Sequence, residues 1–302
     1  MCLEQFLFLG AAATAASALG SALGMAGGIF IVPLLTLCAG ASFPAAVAIS
    51  LISVIACSCA SAPQFLSAGL TNLRLAVVLE VATTLGALAG LLTVGLVRDQ
   101  VLYGIFATVL LVSAFQMMSG RRTRDSAIQV GLRLGDLPPG RSRSAAAHRR
   151  GRIARRLRLD SSYRERDAST VRYEVARLPT GLSLMFGAGM LSALLGIGSG
   201  VLKIPALDAA MRLPIKVSSA TANLTIGVTA CGTAAAHLIA GDLNLTLATP
   251  IVLGSLTGSA LGARLLTKLA GTELRVVFTL VLLALAIPMT LNAFGARLGG
   301  LW

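Results

Sequence analysis

Two glycine-rich segments could bind a ligand through their backbone groups. They read Gly24-Met-Ala-Gly-Gly28-Ile-Phe-Ile-Val-Pro33 and Gly196-Ile-Gly-Ser-Gly200-Val-Leu-Lys-Ile-Pro205. Glycine permits unwound backbone and the close approach of a ligand. Where a helix resumes after such a break, its free N–H groups and positive dipole end attract anions. The candidate anion-binding residues of these breaks are Gly24, Gly27, Gly28, Pro33, Gly196, Gly198, Ser199, Gly200 and Pro205.

Two ionisable residues lie within apolar stretches. Lys203 belongs to the second glycine segment, where a cation would favour a bound anion; alternatively, it extends from a short helix to the membrane interface. Glu80 lies about seven residues into the apolar stretch that begins at Leu73 and could carry a coupling proton. Its alternative interpretation is an interfacial carboxylate or a partner of Arg74.

Small polar side chains follow each glycine segment. Ser50, Thr221 and Asn223 lie in hydroxyl-rich stretches and could hydrogen-bond a ligand, although contacts between helices would explain them equally well. Asn72 and Asn244 follow glycines at the starts of apolar stretches, where turn or capping roles are expected. Two Gly-xxx-Gly pairs are assigned to helix packing: Gly86 with Gly90, and Gly258 with Gly262.

Composition identifies the class of protein that must position these residues. Of 302 residues, 56% are hydrophobic and only 12% are charged, about half the charge of an ordinary soluble domain. Several apolar runs approach the roughly 20 residues that a bilayer-spanning helix requires. They lack the alternation of barrel strands, so we predict an all-α, multi-pass bundle in the cytoplasmic membrane. The predicted spans are 5–23, 43–66, 73–96, 101–118, 181–195, 217–240, 245–263 and 274–291, with shorter pieces at 29–38 and 201–211.

The sequence also excludes several kinds of chemistry. No His-Glu-x-x-His, Gly-x-Ser-x-Gly or Gly-x-x-x-x-Gly-Lys-Ser/Thr motif is present, which argues against a zinc protease, a serine hydrolase and an ATP-driven pump. The five cysteines and two histidines show no metal-ligand spacing. We therefore predict no catalytic residues, no metal and no cofactor.

An internal repeat at one offset of 172 residues relates the two glycine segments. Without a gap, Gly28 aligns with Gly200, Pro33 with Pro205 and Asn72 with Asn244. We predict two homologous membrane repeats, at 1–120 and 181–302. Paired short helices broken by glycine, in corresponding places of two repeats, typically mark a transporter's substrate site. The alternative is that these glycines only let helices pack closely.

An arginine-rich linker at 121–180 separates the repeats. Residues 121–177 contain sixteen arginines and six acidic residues but few large apolar side chains, so we predict a largely disordered cytoplasmic segment. Its expected partners are anionic lipid headgroups. Nucleic-acid binding is not expected, because the aromatic residues are limited to Tyr163 and Tyr173.

Flanking charge favours inverted repeats. If each short piece counts as a crossing, the chain crosses the membrane ten times with both termini outside, and Arg98 and Arg297 also lie outside. Most flanking basic residues then lie in the cytoplasm, as such residues usually do: Arg74, Arg212, Lys216, Arg264, Lys268 and Arg275. Eight crossings with re-entrant half-helices stay possible, because ten residues span only about 15 Å of helix.

The repeated Gly-rich stretch followed by Val-Pro or Ile-Pro resembles the TauE/SafE family of membrane permeases, often described as sulfite exporters. The duplicated halves and the hydroxyl-rich helices that follow are similar to that family too. The resemblance implies a secondary transporter that exports sulfite or organosulfonates. The alternative function is a non-transporting membrane scaffold that presents the basic linker to lipid or to a protein partner.

Overall fold

A computed structural model describes residues 3–22, 25–94, 97–98, 100–115, 161–164, 170–173, 175, 177–198, 200–207, 211, 213–241, 244–268 and 271–293. Ten helices lie within these ranges, and most of their bounds fall within three residues of the predicted spans. They are α1 Leu3–Ala22, α2 Gly28–Cys38, α3 Phe43–Ser67, α4 Leu73–Val94, α5 Gln100–Phe115, α6 Leu178–Leu195, α7 Gly200–Pro205, α8 Ile215–Ala240, α9 Leu245–Lys268 and α10 Gly271–Ala293.

Six of the described helices are long and apolar enough to cross a membrane: α1, α3, α4, α6, α8 and α9. Their outward faces carry large apolar side chains. Val77 of α4 is 67% exposed and Ile239 of α8 is 88% exposed, as expected for residues that contact lipid. The prediction of an all-α, multi-pass bundle is therefore confirmed.

Helices of the first half pack along helices of the second half, which we call crosswise pairing. α1 lies along α9, and α4 lies along α6. Glycine permits the close approach in both pairs: a Cβ added to Gly258 or Gly262 would collide with backbone of α1, and one added to Gly86 or Gly90 would collide with backbone of α6. The packing role predicted for these four glycines is confirmed.

The centre of the bundle is built on α3 and α8, which contact each other. α3 also packs on α9, and α8 also packs on α4, so the two outer pairs flank the central pair. The two glycine breaks meet this centre, because α2 packs on α3 and α7 packs on α8. Small residues line much of it; Ala46, Ala222 and Ala230 are fully buried or nearly so.

Both breaks have the left-handed backbone expected of glycine. The φ angles are +70° at Gly27, +67° at Gly196 and +75° at Gly198. Ala26 has φ +54°, a conformation that costs a residue with a Cβ roughly 1–2 kcal/mol. The short helices that follow are 11 residues long in α2 and only six in α7, so the second piece is shorter than the apolar run had suggested.

Part of the linker forms a β-hairpin that the sequence analysis did not predict. Ser161–Arg164 (β1) pairs antiparallel with Thr170–Tyr173 (β2), with Ser161 opposite Tyr173. α6 then begins at Leu178, and Val175 just before it is buried. Most of the remaining linker lies outside the described residues, and the duplication and its inversion stay predictions.

Candidate functional site

The two glycine breaks lie directly against each other. A Cβ placed on Gly28 would stand 3.0 Å from the carbonyl oxygen of Ile197 and 3.2 Å from that of Gly196. Reciprocally, a Cβ on Gly200 would stand 2.8 Å from the Cα of Met25. The two segments occupy corresponding positions of the predicted repeat, and the fold brings them into backbone contact.

Ser50 joins the two breaks through one side chain. Its hydroxyl lies 2.9 Å from the carbonyl oxygen of Gly196 and 3.2 Å from that of Gly28, and either carbonyl can accept its one proton. Ser50 is fully buried on α3. Among the predicted ligand-binding hydroxyls that the structure describes, it is the one that contacts backbone of both breaks.

Opposite helix ends meet at this point. Gly196 caps the C-terminus of α6, where unpaired carbonyl groups carry partial negative charge, and Gly28 begins α2, where N–H groups carry partial positive charge. The carbonyls of Gly196 and Ile197 lie beside the start of α2. A bound anion would therefore compete with these carbonyl groups for the positive end of α2.

A charged cluster joins α7, α8 and α4. Lys203 is fully buried; its Nζ donates to Thr229 Oγ1 at 2.9 Å and lies 3.7 Å from Glu80 Oε2. Thr229 Oγ1 in turn lies 2.7 Å from Glu80 Oε1. This burial excludes the interfacial alternative for Lys203 in this conformation. The structure pairs Glu80 with Lys203, a partner that the sequence did not indicate.

Asn223 and Thr221 join α8 to neighbouring elements. The side-chain Nδ2 of Asn223 donates to Ser61 Oγ, while Ser58 Oγ donates to the backbone carbonyl oxygen of Asn223 at 2.8 Å. The buried Oδ1 of Asn223 has no hydrogen-bond partner. Thr221 Oγ1 accepts from the backbone N–H of Asn72 at 3.2 Å. Thr221 thus has a structural contact, whereas the unpartnered oxygen of Asn223 is available to a donor.

The expected capping roles of the two asparagines agree with the contacts. Asn72 Oδ1 accepts from the N–H of Leu75 at 3.1 Å at the start of α4. Asn244 Oδ1 accepts from the N–H of Thr246 at 3.1 Å at the start of α9. Neither contact involves a glycine break.

A ladder of buried hydroxyls was missed by the sequence analysis. Ser17 of α1 donates to Ser255 of α9 at 3.0 Å, and Ser255 shares a 2.5 Å hydrogen bond with Ser53 of α3. One turn further on, Ser21 donates to Ser259 at 2.7 Å. The signal was present as Ser-x-x-x-Ser spacing on both helices, which puts two hydroxyls on one face.

Thr229 was missed for a related reason. Beyond Thr221 and Asn223, the hydroxyl-rich stretch of α8 continues through Thr225, Thr229 and Thr233 at four-residue spacing. Gly24 and Ser199 lie outside the described residues, and of Pro205 only the backbone is described. Within the described ranges, no group of three or more His, Cys, Asp or Glu residues could hold a metal ion.

The architecture defines a class: a multi-pass helical membrane protein with two opposed backbone breaks and a buried lysine at its centre. The family model described as "Sulfite exporter TauE/SafE" matches residues 9–289, nearly the whole chain. The chain therefore belongs to the TauE/SafE family.

Two curated relatives carry transporter names. The chain is 29% identical over 109 residues to the "Probable membrane transporter protein YunE" of Bacillus subtilis (strain 168), a match covering 36% of this chain and 40% of the relative. It is 34% identical over 101 residues to a "Probable membrane transporter protein" of Xylella fastidiosa (strain Temecula1 / ATCC 700964), covering 33% and 39%. The matches span about two fifths of each relative's length. No solved structure is significantly similar to the chain.

Proposed function

We propose that this protein is a secondary membrane transporter that moves small anions, and specifically exports sulfite or related sulfur oxyanions and organosulfonates. The meeting of the two glycine breaks beside the buried Lys203 is the observation that carries the proposal. Backbone N–H groups at the start of α2 and the lysine ammonium would supply positive charge without a metal or cofactor. The proposed substrate-binding residues are those of the breaks with Ser50, Thr221, Asn223 and Lys203.

In this conformation the breaks are closed against each other, and Lys203 is shielded from solvent. Transport requires the site to open to one side of the membrane and then to the other. An anion would separate the Gly196 and Ile197 carbonyls from the start of α2 and occupy the space between them. Ser50, released from one carbonyl, could then donate its hydroxyl proton to the anion.

Flux in proteoliposomes tests the proposal. The purified protein is reconstituted, and the uptake of labelled sulfite, methanesulfonate, sulfate and acetate is compared with that of liposomes without protein. We expect saturable uptake of sulfite or the sulfonate, competition between them, and little uptake of acetate. Equal passage of all four anions, or of none, would contradict the assigned substrate class.

The alternative is a scaffold whose activity resides in the basic linker, which we expect to lie in the cytoplasm near anionic headgroups. Replacing residues 121–173 with a Gly-Ser linker separates the two functions. The replacement should stop before Val175, because this buried residue packs in the helical core. A transporter should keep its flux after the replacement, whereas a scaffold should lose its activity.

A further inference from the structure

We infer that Glu80 and Lys203 form an exchange site in which a substrate anion displaces the Glu80 carboxylate, so that each anion crosses with one proton. The inference rests on the proposed function and names the ion that crosses with the substrate; net export then follows the outward gradient of the anion itself. Lys203 lies 3.7 Å from Glu80 Oε2, and Thr229 contacts both residues. The ammonium can pair fully with one anion at a time, either the carboxylate or the substrate.

The hydroxyl of Thr229 has two alternative acceptors. Glu80 Oε1 lies 2.7 Å away and the carbonyl oxygen of Thr225 lies 2.8 Å away. A threonine hydroxyl carries one proton and donates to one acceptor at a time. It can donate to Glu80 when the carboxylate is ionised and turn to Thr225 when the carboxyl is protonated. Thr229 thus accommodates both protonation states.

Glu80 also has an oxygen available to receive the proton. Its Oε2 is buried without a hydrogen-bond partner, and its ion-pair contact with Lys203 is long. The side chain is 15% exposed, at a groove of about 510 Å³ between α4 and α8. Apart from Glu80, Thr84 and Thr225, the groove is lined by alanine, valine and leucine residues. These surroundings disfavour a carboxylate that has lost its cation.

The charges balance without any other reactant. Before binding, the lysine ammonium neutralises the Glu80 carboxylate. After binding, the ammonium neutralises the substrate anion and Glu80 is a neutral acid, because it has taken up a proton. The site is neutral in both states for a singly charged substrate, so transport through it is electrically silent. A pH gradient would drive the anion toward the more alkaline side, and a membrane potential would not drive it.

Few other titratable groups of the described residues lie around this pair. Among the helices packed on α4 and α7, α8 carries Cys231, which interacts electrostatically with Glu80 and with Cys59 of α3. His237 of α8 is also buried, and it lies two turns beyond Thr229. α6 carries no ionisable residue between its ends. On α4 itself Arg74 is exposed, and among the described residues Glu80 is the carboxyl group that pairs with Lys203.

The test compares the wild-type protein, Glu80→Gln and Glu4→Gln in proteoliposomes. Glu4 is an exposed carboxylate on α1, so its variant is a matched control. The probe is labelled methanesulfonate, whose single charge does not change near neutral pH. For the wild type, a pH gradient with the potential clamped at zero should give up to about tenfold accumulation per pH unit. A potential imposed at equal pH should give none.

Glu80→Gln should reverse this dependence. The amide cannot carry the proton, so accumulation should no longer respond to the pH gradient and should respond to the potential. Glu4→Gln should behave as the wild type. Accumulation in Glu80→Gln that still follows the pH gradient would overturn the inference while leaving the proposed function intact. Absence of wild-type flux for every anion would overturn the proposed function, and this inference with it.

A binding measurement covers the case in which Glu80→Gln fails to fold. Adding methanesulfonate to unbuffered, detergent-solubilised wild-type protein should remove a proton from solution for each anion bound, as followed with a pH indicator dye. Thr229→Val should weaken this proton uptake, whereas Thr229→Ser should preserve it. Anion binding by the wild type without proton uptake would overturn the inference directly.

Discussion

Charge is distributed unequally between the two halves at the level of single residues. In the register of the predicted repeat, Lys203 aligns with Ile31, Thr229 with Cys57 and Glu80 with Val252, so the charged cluster has no charged counterpart. Near Cys57, the counterpart of Thr229, lies the neutral ladder of Ser17, Ser53 and Ser255. A buried ion pair seldom adds net stability over apolar residues of similar size, so a functional role accounts for it better than stability does.

Lys203 is the residue at which binding and stability can be separated. Lys203→Gln should raise the KM for an anionic substrate and lower stability by about 1–3 kcal/mol, because Glu80 loses a charged partner. The double variant Lys203→Gln with Glu80→Gln removes both charges and should recover the stability but not the KM. Thermal unfolding and initial rates of uptake measure the two quantities. A normal KM in the folded double variant would remove Lys203 from the substrate site.

At the scale of helices, hydropathy predicts that each helix exists and where it begins and ends, but not which helices pack together. α3 begins at Phe43 as predicted, and α4 begins at Leu73, because the membrane imposes a length and a polarity that the sequence records directly. The crosswise pairing of α1 with α9 leaves no such signal, since one apolar surface fits another equally well in lipid. The contact of Lys203 with Glu80 depends on that pairing, so the sequence could identify each residue but not their partnership.

The glycines of the crosswise pairs should differ sharply in their tolerance of alanine. Gly258→Ala should destabilise the protein by about 1–3 kcal/mol, because its Cβ would collide with the backbone of Thr14 and force α1 away from α9. Gly232 of α8 is the control, since no atom lies within 4 Å of an added Cβ. Gly232→Ala should be neutral or stabilising by up to about 1 kcal/mol. Thermal unfolding in the same detergent tests both, and equal effects would contradict the packing assignment.

At the glycine breaks, a double variant is needed to separate close packing from substrate binding, because both roles are assigned to the same residues. Gly28→Ala should lower stability, since its Cβ would lie 2.6 Å from Val54 Cγ2. Adding Val54→Ala removes that atom and should recover part of the stability, because the carbonyl oxygen of Ile197 still lies 3.0 Å from the added Cβ. If substrate approaches the backbone here, flux per folded protein should stay low in the double variant. Recovery of flux together with stability would show that Gly28 serves packing alone.

At the scale of the whole molecule, the predicted inversion has a direct test. Single cysteines are placed at positions 141 and 297 in a background from which the native cysteines have been removed, since Cys38, Cys59 and Cys231 are exposed. A membrane-impermeant thiol reagent applied to intact cells should label position 297 and leave position 141 unmodified until the cells are opened. Labelling of both from the same side would restore parallel halves with four crossings each.

The crosswise pairing also governs how the protein is made. Ser17 and Ser255 are hydrogen-bonded although 238 residues separate them, so α1 leaves the ribosome long before its partner α9 exists. At typical rates of synthesis this interval lasts roughly ten seconds to a minute. During that time the hydroxyls of α1 face lipid, the insertion machinery or a chaperone instead of α9. Membrane insertion of α1 and completion of the fold are therefore separate events in the life of the nascent chain.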